Sequence, residues 1–179
     1  MASIKDFKYK LIKRFFSKEE VTILQKYCLR KLDVPFIDGD QSPLAPCWYK
    51  DALMNSFLEL KIPRMEKETG LKLFKTYAYW RYYMFNSILK DHKDRHACEI
   101  SATACIHKTD NWPIHIENNW IEMEEGDAVI YLGHDLTHGR KPFQGDGCAQ
   151  VFFHYVDQHG PHACWKDDLI LVQPSDGQG

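Results

Sequence analysis

No run in the 179-residue chain approaches the ~20 consecutive apolar residues that a bilayer-spanning helix needs. Charge of neither sign dominates: 23 Lys+Arg stand against 25 Asp+Glu, a net charge of -2. That balance leaves no electrostatic basis for coating a polyanion, so no nucleic-acid partner is expected. No CxxC pair occurs among the six cysteines, Cys28, Cys47, Cys98, Cys105, Cys148 and Cys164. A chain of this length buries a core without covalent staples, so these read as free thiols of a reducing compartment rather than a disulfide framework. Internal repeats and low-complexity segments are lacking too. The one linker-like stretch is QPSDGQG, residues 173–179, expected to be a flexible tail. The opening MASIKDFKYKLIKRFF is too charged for the apolar stretch of a secretion signal. Together these absences predict a cytoplasmic protein with no membrane partner. What is present, 44% hydrophobic and 27% charged residues, is the composition of a globular domain. Aromatics at 13% suit a β-rich core or a lined pocket better than a helix bundle.

The first 70 residues read as a helical lead-in. Ser17-Lys18-Glu19-Glu20 is a capping box, in which the Ser17 hydroxyl accepts from the Glu20 N–H and Glu20 reaches back to Ser17. Val21, Leu24, Cys28 and Leu32 then recur at helical spacing, and Phe16 is placed to staple the start of the helix. Residues 34–48 are rich in turn formers and predict a loop. A second helical stretch runs from Asp51 to Glu68, with Pro63 ending or kinking it and Gly70 closing it. After Gly70 the texture changes to aromatic and β-branched runs: LKLFKTYAYWRYYMF, ACEISATACIH, WPIHIENNWIEM, AVIYLG and AQVFFHYV. Short strands separated by turn signals are the mark of a sandwich or barrel. The expectation is one domain over residues 1–172, mainly β with N-terminal helices, its barrel core spanning 71–157.

Nine histidines are many for this length, and the sharpest local feature is His92-Lys93-Asp94. In an extended segment residues i and i+2 share a face, so this His and Asp can both reach one metal ion. A third ligand from a distant strand completes a face of two imidazoles and one carboxylate, the donor set that leaves open positions on Fe(II). The distal ligand is open among three residues: His138 in HGRKPF, His134 four residues earlier in GHDLTHG, and His154 in VFFHYV. His138 stands 44 positions after Asp94, a gap that accommodates several short strands crossing a small barrel and returning. His107 and His115 read as ordinary strand or loop residues, and Arg95 and His96, which flank the HxD, as solvated side chains within reach of the pocket rim.

Tyr83 stands nine residues before His92, the HxD follows, and Gly126-Asp127 leads into AVIY before His138 and Pro142. This ensemble resembles the Fe(II)/2-oxoglutarate-dependent dioxygenases, in particular their prolyl 4-hydroxylase-like branch, over residues 71–157. The resemblance implies a double-stranded β-helix (jelly roll, cupin-like) with His92, Asp94 and His138 holding Fe(II) at one mouth. It implies that Tyr83 bonds a 2-oxoglutarate carboxylate, and that O2 is the oxidant in hydroxylating a protein side chain or small molecule, with succinate and CO2 as co-products. One feature departs from the family. A basic residue about ten positions past the distal His is usual, and here that region reads Gly147-Cys148-Ala149-Gln150. A buried carboxylate needs a cationic or multiple-donor partner. Arg140 is the first candidate, sharing the His138 face with a fork suited to a carboxylate. Lys108 is the second, with Thr103 and Gln150 adding hydrogen bonds. The same departure motivates two other readings: a cupin-like metal enzyme that does not use 2-oxoglutarate, or a non-enzymatic jelly-roll binding module.

Overall fold

The computed structural model describes residues 3–33, 38–39 and 42–168. A short helix α1 (Ile4–Phe7) and strand β1 (Tyr9–Ile12) precede α2 (Lys18–Lys31). The capping box is formed: Ser17 Oγ accepts from Glu20 N–H at 3.2 Å and Glu20 accepts from Ser17 N–H at 2.8 Å. Leu24 and Cys28 are the buried residues of α2. After β2 (Asp38–Gly39), strand β3 (Ser42–Tyr49) occupies the latter part of the stretch expected to be a loop. Pro46 fits because β3 lies beside the edge strand β2, and among the described residues it pairs with β4 through Cys47, Trp48 and Tyr49. The second helical stretch divides into α3 (Ala52–Leu60) and α4 (Ile62–Thr69). Pro63 sits in the first turn of α4, where its missing N–H is harmless, so it begins a helix rather than ending one. Gly70 closes α4 in the left-handed conformation at φ 70°.

The barrel follows: β4 (Leu73–Tyr83), β5 (Leu89–His92), a 3-10 turn at His96–Cys98, β6 (Ile100–Lys108), β7 (Ile114–Ile116), β8 (Asn119–Ile121), β9 (Ala128–Tyr131), β10 (His138–Arg140) and β11 (Cys148–Asp157). A further 3-10 segment covers Ala163–Asp168. The strands form a seven-stranded sheet in the order β1-β9-β6-β11-β4-β3-β2, facing a four-stranded sheet, β5-β10-β7-β8. Every pairing in both is antiparallel. This is the jelly roll expected from the sequence.

The helices cover the outer face of the larger sheet. Phe16 meets Phe57 edge-on at 5.5 Å and Phe153 at 6.0 Å, joining α2, α3 and β11. Such ring pairs contribute roughly 0.5–1.5 kcal/mol each beyond area burial. Lys61, between α3 and α4, lies 4.7 Å over the Phe16 ring and pairs with capping-box Glu20 at 2.7 Å. The outer face is thus filled, and the inner face of β4, β6 and β11 is left to line a cleft. All six cysteines are free thiols, and no helix among the described residues is long and apolar enough to cross a membrane.

Candidate active site

The strand period of two sorts the long strands cleanly. Tyr77, Tyr79, Arg81 and Tyr83 of β4 face inward, and register sets Cys148 beside Tyr83, Gln150 beside Arg81 and Phe152 beside Tyr79 on β11. On the other side of β11, Cys105, Thr103 and Ser101 of β6 lie opposite Gln150, Phe152 and His154. The smaller sheet supplies the opposite wall. His138 of β10 pairs directly with His92 of β5.

That pairing brings the three favoured residues together. His92 Nε2 lies 3.4 Å, and His138 Nε2 3.6 Å, from Asp94 Oδ1, with the two imidazole centroids 4.4 Å apart. Cis ligands at ~2.1 Å from one ion stand about 3 Å apart, so small torsional adjustments suffice. Both rings are already fixed in the right tautomer. His92 Nδ1–H donates to Lys90 O at 2.8 Å and His138 Nδ1–H to Leu136 O at 2.9 Å, which turns both Nε2 atoms toward the carboxylate, where each donates to it while its ring is protonated and offers a lone pair to a metal once it is not. Tyr131 packs edge-on against the His138 ring at 4.7 Å. Burial works to raise the Asp94 pKa, but hydrogen bonds from His138 and His92 override it and hold the carboxyl well below the usual range. The His92 pKa is raised, chiefly by its hydrogen bond to Asp94.

Gly133 makes room for this carboxylate. The Asp94 N–H donates to Gly133 O at 2.9 Å. A Cβ on Gly133 would meet the Asp94 carboxylate, Ser101 Oγ at 2.6 Å and Cys98 O at 2.7 Å. Ser101 Oγ donates to Asp94 Oδ2 at 3.2 Å and lies 2.9 Å from His154 Nδ1. His154 is fully enclosed and its Nε2 has no partner. Burial pushes its pKa down to about 4, so the ring is neutral at pH 7. It stands behind Asp94 rather than beside His92, and groups with Asp94 and Cys98. His134 is turned away from the triad and its Nδ1–H donates to Asp94 O at 3.2 Å.

Four of the five residues proposed for the cosubstrate lie together around Arg140. Arg140 Nη2 donates to Gln150 Oε1 at 3.4 Å, and the Thr103 hydroxyl donates to the same oxygen at 3.5 Å. Arg140 also donates to Trp112 O and lies 4.8 Å over the Trp112 ring, which meets Tyr83 edge-on at 4.6 Å. Lys108 is not brought there. Its Nζ is engaged by Asn111 Oδ1 at 2.8 Å, Met123 O at 2.9 Å and Glu124 at 3.2 Å, because β6 turns its last residue outward toward the β8–β9 connection. A cation passed over in the sequence, Arg81, lies beside Gln150 instead. Arg81 is 5% exposed, its Nη1 donates to Ala45 O at 3.2 Å, and its Nε has no partner. The signal was in plain sight: Tyr77, Tyr79, Arg81 and Tyr83 alternate on one face of a strand otherwise lined with aromatics. The Tyr83 hydroxyl and Arg140 Nε are likewise buried without partners. Burial pushes the Tyr83 pKa up to about 12 against the opposing charges of Arg81 and Arg140, so the phenol is a neutral donor. Between Arg81 and Asp94 lies a cleft of about 360 Å³, lined also by Cys47, Tyr49, Tyr77, Tyr79 and Arg95. His107 bonds Glu125 and His115 bonds Asp91, as ordinary strand residues.

No protein-family model matches the sequence, and no curated protein matches it. Solved structures do match its fold. A prolyl-4-hydroxylase from Pseudomonas putida superposes with a TM-score of 0.66 at 12% identity, covering 84% of this chain and 92% of that one. HygX from Streptomyces hygroscopicus, solved with nickel, 2-oxoglutarate and hygromycin B, gives 0.67 at 11% identity over 85% of this chain and 84% of its own. A Trichoplax adhaerens prolyl hydroxylase, solved with a peptide fragment of the hypoxia inducible factor oxygen degradation domain, gives 0.66 at 13% identity, covering 87% and 86%. The chain therefore has the jelly-roll fold of the Fe(II)/2-oxoglutarate oxygenases.

Proposed function

We propose that this protein is a non-haem Fe(II)- and 2-oxoglutarate-dependent oxygenase, with residues 1–172 acting as one domain. The observation that carries the reading is the convergence of His92 Nε2, His138 Nε2 and a carboxylate oxygen of Asp94, together with orphaned, buried donors on Arg81, Arg140 and Tyr83. The residues fit both groups. Two neutral imidazoles and one carboxylate are the donor set for Fe(II) with open positions. The Tyr83 hydroxyl, Arg81 Nε and Arg140 Nε are buried polar atoms that a dicarboxylate would satisfy. Two guanidinium groups thus take the place of the base absent at position 148, which removes the reason for preferring a reading without 2-oxoglutarate. Together the metal and cosubstrate would supply oxidation of a C–H bond by O2, coupled to conversion of 2-oxoglutarate to succinate and CO2.

The chain's own residues have separate tasks. Lys90 and Leu136 carbonyls hold the imidazole protons on Nδ1 and keep Nε2 free. Ser101 and the close approach of Gly133 fix the Asp94 carboxylate. Arg81, Arg140 and Tyr83 anchor the far carboxylate of the cosubstrate, and Trp112 and Phe143 close that end against water. Tyr49, Tyr77, Tyr79 and Arg95 form the wall left for substrate, with room for one protein side chain or a small molecule. The free thiols fit a reducing compartment, and the cytoplasm is the location we assign. The test is succinate release from 2-oxoglutarate, screened over peptides, amino acids and small molecules. Release that requires Fe(II) and rises with one substrate class is expected. Absence of any Fe(II)-dependent turnover, with or without substrate, would overturn the reading.

A further inference from the structure

A second cluster of imidazoles lies just outside the cleft. His96 opens the 3-10 turn that follows Asp94, His134 follows Gly133 in the β9–β10 connection, and His162 precedes the last 3-10 segment. The ring centroids are 4.2 Å apart for His96–His134, 4.6 Å for His96–His162 and 5.2 Å for His134–His162. One ring nitrogen from each lies within 4.8 Å of the other two. We propose that these three side chains form a second metal site, selective for Zn(II) and separate from His92, Asp94 and His138.

Three observations converge on it. First, three basic side chains from three separate segments face one another, and among the described residues no carboxylate pairs with any of them; the histidine ion pairs involve His92, His107, His115 and His138. Like groups gathered without a counter-charge repel when protonated, and a shared cation turns that gathering into a favourable one. Second, the His134 ring is held as a ligand would be. Its Nδ1–H donates to the Asp94 carbonyl, leaving the Nε2 lone pair free, the same arrangement that His92 and His138 show. Third, the spacing is within reach. Tetrahedral ligands at ~2.0–2.1 Å from zinc stand about 3.4 Å apart, so torsions of exposed His96 and half-buried His134 and His162 close the set without moving the backbone.

The donor set decides the ion. Three neutral imidazoles and no carboxylate suit Zn(II) over Fe(II), by both ligand type and the order of divalent affinities. A fourth position stays open toward solvent for water. The segment GHDLTHG thus serves two centres, its first His facing one and its second His the other. The ion would also fasten the chain after β11 across the cleft mouth. Six residues beyond His162, Asp168 pairs with Arg95 at 2.8 Å and accepts from Tyr49, both of which line the cleft.

Equilibrium dialysis of the full chain against Zn(II), with Co(II) absorption as the coordination probe, tests this. Wild type should hold two ions per chain. His162→Gln and His96→Gln should each hold one, and Asp94→Asn should hold one and keep the intense visible Co(II) bands of a tetrahedral site. Those bands should vanish in His162→Gln. Circular dichroism checks that the variants fold, and either histidine variant suffices if the other does not. One ion in wild type, or an unchanged count and Co(II) spectrum in the folded histidine variants, would overturn the proposal.

Discussion

Gly133 leaves the space that the Asp94 carboxylate, the proposed ligand, occupies. An added methyl would press on the Asp94 carboxylate and on Ser101 Oγ at 2.6 Å. Gly133→Ala should lower stability through its contact with the Cys98 carbonyl and, in the folded protein, weaken Fe(II) binding by roughly 10- to 100-fold, the usual effect of disturbing a ligand's support. Anaerobic Fe(II) titration measures it, and wild-type affinity would mean that Asp94 is not held by this turn. Arg81 and Arg140 invite a direct comparison. Losing a desolvated charge pair costs on the order of 2–5 kcal/mol, about 30- to 4000-fold in affinity. Arg81→Ala and Arg140→Ala should each raise the 2-oxoglutarate requirement within that range while Fe(II) affinity stays nearly unchanged. Lys108→Ala should do neither, since its ammonium is committed to Asn111, Met123 and Glu124. The HxD stood out by its spacing, whereas His138 was one of three candidate distal residues and was singled out by the family resemblance. Arg81 was not, because a cation inside an aromatic strand reads as solvated until the opposite wall is known.

Among the elements, the turn before β9 ties the N-terminal segment to the barrel. Asp127 accepts from Lys13 Nζ at 2.7 Å, Arg14 N–H at 3.0 Å and Glu124 N–H at 3.0 Å. Burial works to raise its pKa, but those donors prevail and lower it. A carboxyl with a depressed folded-state pKa adds stability above its unfolded value of about 3.9 and loses it as pH falls through the folded value. Asp127→Asn should therefore lower the urea midpoint at pH 7 by an amount worth about 1–3 kcal/mol. The gap between variant and wild type should close as pH falls below about 4. A gap constant from pH 7 to pH 3 would show that the charge is not what matters. The sequence disclosed the elements whose signals are local: the Ser17–Glu20 box, the Gly70 stop and the alternating strands after it. It did not disclose β3, whose composition is that of a loop and whose strand conformation comes from pairing to β4. Nor did it show that Pro63 starts α4, because proline has the same local effect on either side of a helix break.

At the scale of the whole molecule, the function depends on two sheets facing each other. The smaller sheet and the HxD segment supply the imidazoles and carboxylate, and the larger supplies Arg81, Tyr83, Thr103 and Gln150. Arg140, two residues beyond His138 on β10, reaches across to Gln150 and joins the two walls. A closed jelly roll brings the His92–Asp94–His138 group and the Arg81, Arg140 and Tyr83 side chains together from separate strands, which is why the sequence signals lie so far apart along the chain. The central claim is that both groups bind together at this one centre. The most direct measurement is the anaerobic visible difference spectrum of the protein with Fe(II), recorded before and after adding 2-oxoglutarate. The expected result is a weak charge-transfer band that appears only when both are present and is absent in Asp94→Asn. Fe(II) binding at the triad with no such band at saturating 2-oxoglutarate would contradict the account.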